Sequence, residues 1–168
     1  GGCNATARQK LNLREDALLF GIVGRFGPMK GHYTLLDAFE RIAGEAQHLH
    51  IVVIGTGGTE EARVRQQAAS SSYAGRIHFT GYLADPAEGY HALDLVVIPS
   101  TNEGLSNVLL EAMACEIPVL ANRGCGHDTV IEGLNDGWVT DINSVDSLVA
   151  ELKRVLKTSK PGRRQFLG

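Results

Sequence analysis

Four short and almost wholly apolar runs, Leu18–Val23, His50–Ile54, Leu95–Ile98 and Pro118–Ala121, recur along the chain with helix-period stretches between them. This alternation constrains the fold more than any other feature. A run with no polar alternation is buried on both faces, which is the habit of strands in a parallel sheet. Between the runs, Leu35, Leu36, Phe39, Ile42 and Ala43 share one side of a helix starting near Tyr33, and a polar helix is expected from Glu61 to Ala69. Arg76–Gly81 reads as a shorter strand, and Pro86–Leu93 as a short helix with Asp85 as its N-cap. A helix over Ser106–Cys115, a short one over His127–Glu132 and a weak strand at Trp138-Val139 follow. Val145, Leu148, Val149, Leu152, Val155 and Leu156 give the last helix the cleanest apolar face. The pattern predicts an α/β fold: a Rossmann-like three-layer domain with a parallel sheet of about six strands joined by right-handed crossovers.

Residues 17–157 form this domain on the sequence reading. Residues 1–16 are polar and mixed and read as a linker or cloning remnant, and 158–168 as a loose tail without periodicity. An apolar share of 43% with 21% charged residues describes a soluble globular chain, and a net charge of -3 gives no general electrostatic case for nucleic acid. The apolar runs are too short to span a bilayer and no signal peptide opens the chain, so a cytoplasmic location is expected. Three dispersed cysteines, Cys3, Cys115 and Cys125, argue against a disulfide framework or zinc site, and the six histidines form no i, i+4 metal pair. Gly-x-Gly-x-x-Gly is absent after the first strand, which counts against a nicotinamide or flavin site.

In a parallel sheet of this kind ligands bind beyond the C-terminal strand ends. The glycine-rich turns fall there: Gly24–Gly31, Gly55–Gly58, Gly81-Tyr82 and Glu103-Gly104. The stretch Pro99–Val119 carries the strongest chemistry. Glu103 sits in the turn and Glu111 about two turns into the following helix, too far apart for a close acid/base pair, so each would hold a different part of one ligand. Between them Gly104 allows close backbone approach, and the helix start offers free N–H groups to an anion. Arg25 and Lys30, in the first strand-to-helix loop, could reach the same phosphate. As isolated residues they read as solvated loop cations, and the glutamate motif beside them turns the balance toward function.

The pattern E-G-x-x-N-x-x-x-E-A-M-A, from Glu103 to Ala114 and followed by Pro118-Val119, resembles the donor-site signature of retaining GT-B-fold glycosyltransferases. Together with G-R-x-x-x-x-K-G at Gly24–Gly31, it is similar to the family 4-like, group 1 glycosyltransferases, in the C-terminal, donor-binding half. The resemblance implies transfer of a hexose or N-acetylhexosamine from a nucleotide sugar, with a UDP-sugar as the default, to a saccharide or lipid-linked acceptor. It implies a partner N-terminal domain that brings the acceptor, an isolated half without activity, and peripheral association of the full-length enzyme with the inner face of a membrane. No cofactor or metal is expected beyond the donor itself, since the Asp-x-Asp metal clamp of the other main glycosyltransferase fold is missing.

By the same resemblance Arg25 and Lys30 bind the diphosphate and Glu111 the ribose hydroxyls. Glu103 lies nearest the donor sugar, where its charge would favour an oxocarbenium-like transition state. Gly104, Leu105 and Ser106 would supply backbone N–H groups, Asn107 would support that loop, and Gly57, Gly81 and Tyr82 are placed to meet the base. The helix carrying Glu111 lies between two buried strands, which predicts a sheltered carboxylate. Three positions depart from the family pattern: Glu116 stands where a glycine usually closes the helix, Cys125-Gly126 replaces paired glycines, and no glutamate occurs near Thr129. Glu116 must therefore find another cap geometry or bear strain. A non-catalytic nucleotide-sugar-binding module and a GT-B-fold sugar-nucleotide epimerase are the alternative readings; a receiver or flavin domain is the weakest.

Overall fold

A computed structural model describes residues 2–124, 126, 128–131 and 137–158. Six parallel strands, β1 (Leu18–Val23), β2 (Leu49–Ile54), β3 (Ile77–Gly81), β4 (Leu95–Ile98), β5 (Val119–Asn122) and β6 (Gly137–Thr140), form one sheet in the order β3-β2-β1-β4-β5-β6. The helices are α1 (Gly2–Lys10), α2 (His32–Ile42), α3 (Glu61–Ser70), α4 (Pro86–Ala92), α5 (Asn107–Ala114), α6 (Asp128–Ile131) and α7 (Val145–Thr158), with a 3-10 turn over Ala74–Arg76. This is the three-layer α/β architecture expected from the alternating runs.

Successive strand side chains feed two separate cores, as the pleat requires. Phe20, Ile22, Ile51, Val53, Leu95 and Val97 face α2, α3 and α7, whereas Leu19, Val52, Ile54, Val96 and Ile98 face α1, α4 and α5. Each fully buried Leu, Ile or Phe contributes roughly 1.5–3 kcal/mol through lost apolar hydration. The predicted cap is present: Asp85 Oδ1 accepts the Ala87 N–H at 3.0 Å, with Pro86 opening the helix.

The reading of residues 1–16 as a linker is overturned. Residues Gly2–Lys10 form α1, and Ala7, Leu13 and Ala17 are buried in the second core. Arg8 is 3% exposed. Its guanidinium donates to the carbonyls of Ala92, Glu15 and Ala17 at 2.9 Å each and pairs with buried Asp94 at 2.8 Å. A polar composition concealed this, because hydropathy does not register a charge whose partner arrives from 86 residues away. The predicted tail lies almost wholly outside the described residues.

The strand order decides where a ligand can bind. After β3 the chain returns to the other side of β1, so the loops leaving β1 and β4 diverge from adjacent strands and open a crevice between them. The two loops are tied at their bases by the Thr101 N–H donating to the Met29 carbonyl at 2.9 Å. Gly31, with φ 84°, lets them approach: a Cβ there would stand 2.6 Å from Pro99 Cγ and 2.8 Å from its carbonyl oxygen.

Candidate functional site

The β1–α2 loop brings Lys30 to the crevice, and the β4–α5 loop brings Glu103. Lys30 Nζ donates to Glu103 Oε1 in an ion pair that bridges the two loops, with 36% and 19% of the side chains exposed. Both line a hollow floored by Ile22, Val23, Val97 and Ile98 and bordered by Ser106 and Val108 at the start of α5. Ser106 is the N-cap residue of α5 but does not cap it with its side chain, so the positive end of the helix borders the same hollow. Cation, carboxylate and helix start are thus assembled on an apolar floor, where low dielectric strengthens their action on a charged ligand.

Arg25 lies nearer the start of the same β1–α2 loop. Its side chain is exposed and lies against the turn after β2, with a Cβ on Gly57 falling 3.7 Å from Arg25 Nε. Among the described residues it forms no ion pair. The turn itself is held by the Phe26 N–H donating to the Gly57 carbonyl at 2.8 Å and by Glu61 Oε2, which accepts the Gly57 N–H at 2.6 Å. That amide, and then Arg65, hold the Glu61 carboxyl below the usual carboxylate range. Gly81 joins the same rim through its carbonyl, which accepts the Gly55 N–H at 3.0 Å, and Tyr82 beside it is 78% exposed. Gly104, Leu105 and Asn107 are exposed on the β4–α5 side. Gly126 brings the loop after β5 next to the Leu105 backbone, at 3.6 Å from a Cβ built on the glycine.

The sequence-derived residues therefore share the C-terminal rim of the sheet, but in sub-groups. Lys30, Glu103 and Ser106 line one hollow, whereas Arg25, in the same loop as Lys30, lays its side chain against Gly57 in the turn after β2, beside Gly81.

Glu111 corrects its expectation. Because α5 begins at Asn107, it lies little more than one turn in, and it is exposed, not sheltered. Its Oε2 nevertheless accepts the Tyr90 hydroxyl at 2.6 Å. Tyr90 was not legible as a functional residue, because only the packing of α4 against α5 brings the two together.

Glu116 shows the strain that its position implies. It adopts φ 56°, with the Glu116 N–H on the Met113 carbonyl and the Ile117 N–H on the Ala112 carbonyl, both at 2.9 Å. This is the Schellman closure with glutamate in the left-handed place. Cys125 and the side chain of Thr129 lie outside the described residues.

Two further groups escaped sequence reasoning. Asn122 is buried at the end of β5, where Nδ2 donates to the Ser100 carbonyl at 3.1 Å and Oδ1 accepts the Ile142 N–H at 2.9 Å, bracing the root of the glutamate loop. His32, 2% exposed, stacks on Phe26 at 4.6 Å with neither ring nitrogen hydrogen-bonded to the described residues. Burial, and then Lys30, lower its pKa to about 4. Among the described residues no group of three or more His, Cys, Asp or Glu is arranged to hold a metal ion, and no helix is long and apolar enough to cross a membrane.

Residues 4–166 match the family described as glycosyl transferases group 1. The chain belongs to that family. It is 28% identical over 152 residues to the lipopolysaccharide core biosynthesis glycosyltransferase LpsE of Rhizobium meliloti, covering 90% of this chain and 43% of that protein. It is 31% identical over 176 residues to the D-inositol 3-phosphate glycosyltransferase of Geodermatophilus obscurus, covering 99% and 38%. Among solved structures, WaaG, a glycosyltransferase involved in lipopolysaccharide biosynthesis, superposes with a TM-score of 0.84 at 25% identity, covering 99% of this chain and 45% of that one. The C-terminal domain of a group 1 family protein, LpcC from Francisella tularensis, gives 0.81 at 24% identity, covering 99% and 88%. The chain thus spans about two fifths of the curated relatives it matches and most of one solved C-terminal domain.

Proposed function

We propose that this group 1 glycosyl transferase domain is the donor-binding half of a retaining enzyme that transfers a hexose or N-acetylhexosamine from a nucleotide sugar, with UDP as the nucleotide. The acceptor is a saccharide or a lipid-linked acceptor, presented by an N-terminal domain. One observation carries the reading: Lys30 and Glu103, 73 residues apart, meet over the crevice beside the start of α5. A diphosphate seated on the α5 amides would take the Lys30 ammonium as its counter-ion, with Arg25 approaching from the β2 side. Positive charge there stabilises the diphosphate as it leaves, which lowers the barrier rather than only tightening binding. Glu103, released from Lys30 by the phosphates, would face the sugar and stabilise positive charge at its anomeric carbon. Glu111 would accept the ribose hydroxyls. Charge neutralisation by these cations and amides requires no metal, so chelator should leave nucleotide affinity unchanged.

A UDP-linked donor is favoured by analogy with the Anabaena HepE structure, solved with UDP and glucose, which superposes with a TM-score of 0.82 at 24% identity. The test is calorimetric titration of the 168-residue chain with UDP, GDP and ADP, paired with a donor-turnover assay of the full-length protein and its Glu103→Ala variant. The reading expects weak binding of UDP in preference to GDP and ADP and no transfer by the short chain, with turnover by the full-length protein that Glu103→Ala abolishes. Absence of binding for all three nucleotides, or full turnover in the variant, overturns it. Epimer formation from UDP-N-acetylglucosamine without acceptor would support the epimerase reading instead.

A further inference from the structure

Glu111 sits exposed on α5, where a glutamate side chain ordinarily samples many rotamers. Here one of its oxygens is taken. The Tyr90 hydroxyl reaches Glu111 Oε2 at 2.6 Å, within the short range of charge-assisted O–H···O⁻ bonds. Tyr90 belongs to α4 and is 1% exposed in the second core, so the hydroxyl is aimed by core packing.

We propose that Tyr90 is a positioning residue for nucleotide recognition: it locks the Glu111 carboxylate in the orientation that presents its other oxygen to the ribose hydroxyls. This rests on the reading that Glu111 holds the ribose. Burial, and then the hydrogen bond and charge of Glu111, raise the Tyr90 pKa, so the phenol keeps the proton that it donates. A carboxylate is acceptor-only, and occupying part of one oxygen leaves Oε1 for the ligand's hydroxyl donors. Fixing the side chain before the ligand arrives removes the entropy cost of ordering it on binding. A pair that only fastened α4 to α5 would contribute to stability and leave ligand discrimination untouched, which is the point the experiment separates.

The chain, Tyr90→Phe and Glu111→Ala are each titrated with UDP, GDP and ADP, and with the 2′,3′-dideoxy form of whichever binds best. The native chain is expected to prefer the ribonucleotide by about tenfold or more, as the loss of hydrogen bonds to a charged acceptor implies. Glu111→Ala should remove that preference. Tyr90→Phe should cut it by about threefold to tenfold while the dideoxy affinity stays within about twofold, which also certifies the fold. In the full-length enzyme the same variant should raise donor KM and leave kcat unchanged. If Tyr90→Phe retains the full preference while Glu111→Ala loses it, the positioning role is wrong and the ribose reading survives. If both retain it, or if no nucleotide binds, the ribose reading itself fails and takes the proposal with it. Equal loss of both affinities in Tyr90→Phe overturns the proposal in favour of a purely structural phenol.

Discussion

Replacing Arg8 by methionine tests the buried ion pair that anchors α1. Methionine keeps an unbranched apolar stem in place of the arginine stem and removes the guanidinium, which makes three hydrogen bonds to carbonyls and one to Asp94. Asp94 would then remain nearly inaccessible, with the Leu19 N–H at 2.8 Å still donating to its Oδ2 but no cation beside it. Removing one member of a buried pair costs about 3–5 kcal/mol, chiefly through the charge left behind. That is a large part of the roughly 5–15 kcal/mol that holds a domain folded. With a urea slope of about 2 kcal/mol per molar, the midpoint should fall by roughly 1.5–2.5 M in equilibrium unfolding followed by circular dichroism. The double variant Arg8→Met with Asp94→Asn should regain part of the loss, because the stranded charge is gone while an amide oxygen can still accept the Leu19 N–H. Nucleotide affinity should not change, since the pair lies at the start of β1 and β4, at the other end of the strands from the crevice. A loss below about 1 kcal/mol, as an exposed pair would give, or a double variant no more stable than Arg8→Met, would refute the reasoning.

Glu116→Gly should stabilise the domain by about 1 kcal/mol and raise its melting temperature by a few degrees, because glycine adopts φ 56° without the steric cost of a Cβ. Glu116→Ala should give no such gain in the same thermal melt. His32 is neutral in the fold with a pKa of about 4 against an ordinary 6.5, so the unfolded chain binds more protons between those values. Its share of stability is intact above pH 6.5 and is lost as pH falls toward 4, amounting to roughly 3 kcal/mol at full protonation. His32→Phe should flatten that part of the stability–pH curve measured by urea unfolding. Lys30→Ala and Arg25→Ala together should weaken nucleotide diphosphate binding by at least about tenfold, the scale of lost charge-assisted contacts, and unchanged titration heats would remove both from the site.

The chain alone determined what depends on near neighbours. Doubly buried strands announce themselves as unbroken apolar runs, and the observed β1 and β4 coincide with the runs Leu18–Val23 and Leu95–Ile98. The cap at Asp85 and the glycine turns are likewise backbone requirements of a few consecutive residues, and resemblance to the family pattern marked Glu116 as the place where the helix closes. Those terms act within one or two turns of chain, so they can be read from letters. Folding decided everything that required distant residues to meet. Strand order placed the β1 and β4 loops side by side and so joined Lys30 to Glu103, while packing of α4 on α5 supplied Tyr90 to Glu111. Arg8 became part of the interior only because Asp94 and three carbonyls converged on it. A buried charge is favourable or ruinous according to its partner, and partnership across tens of residues leaves no mark in local composition.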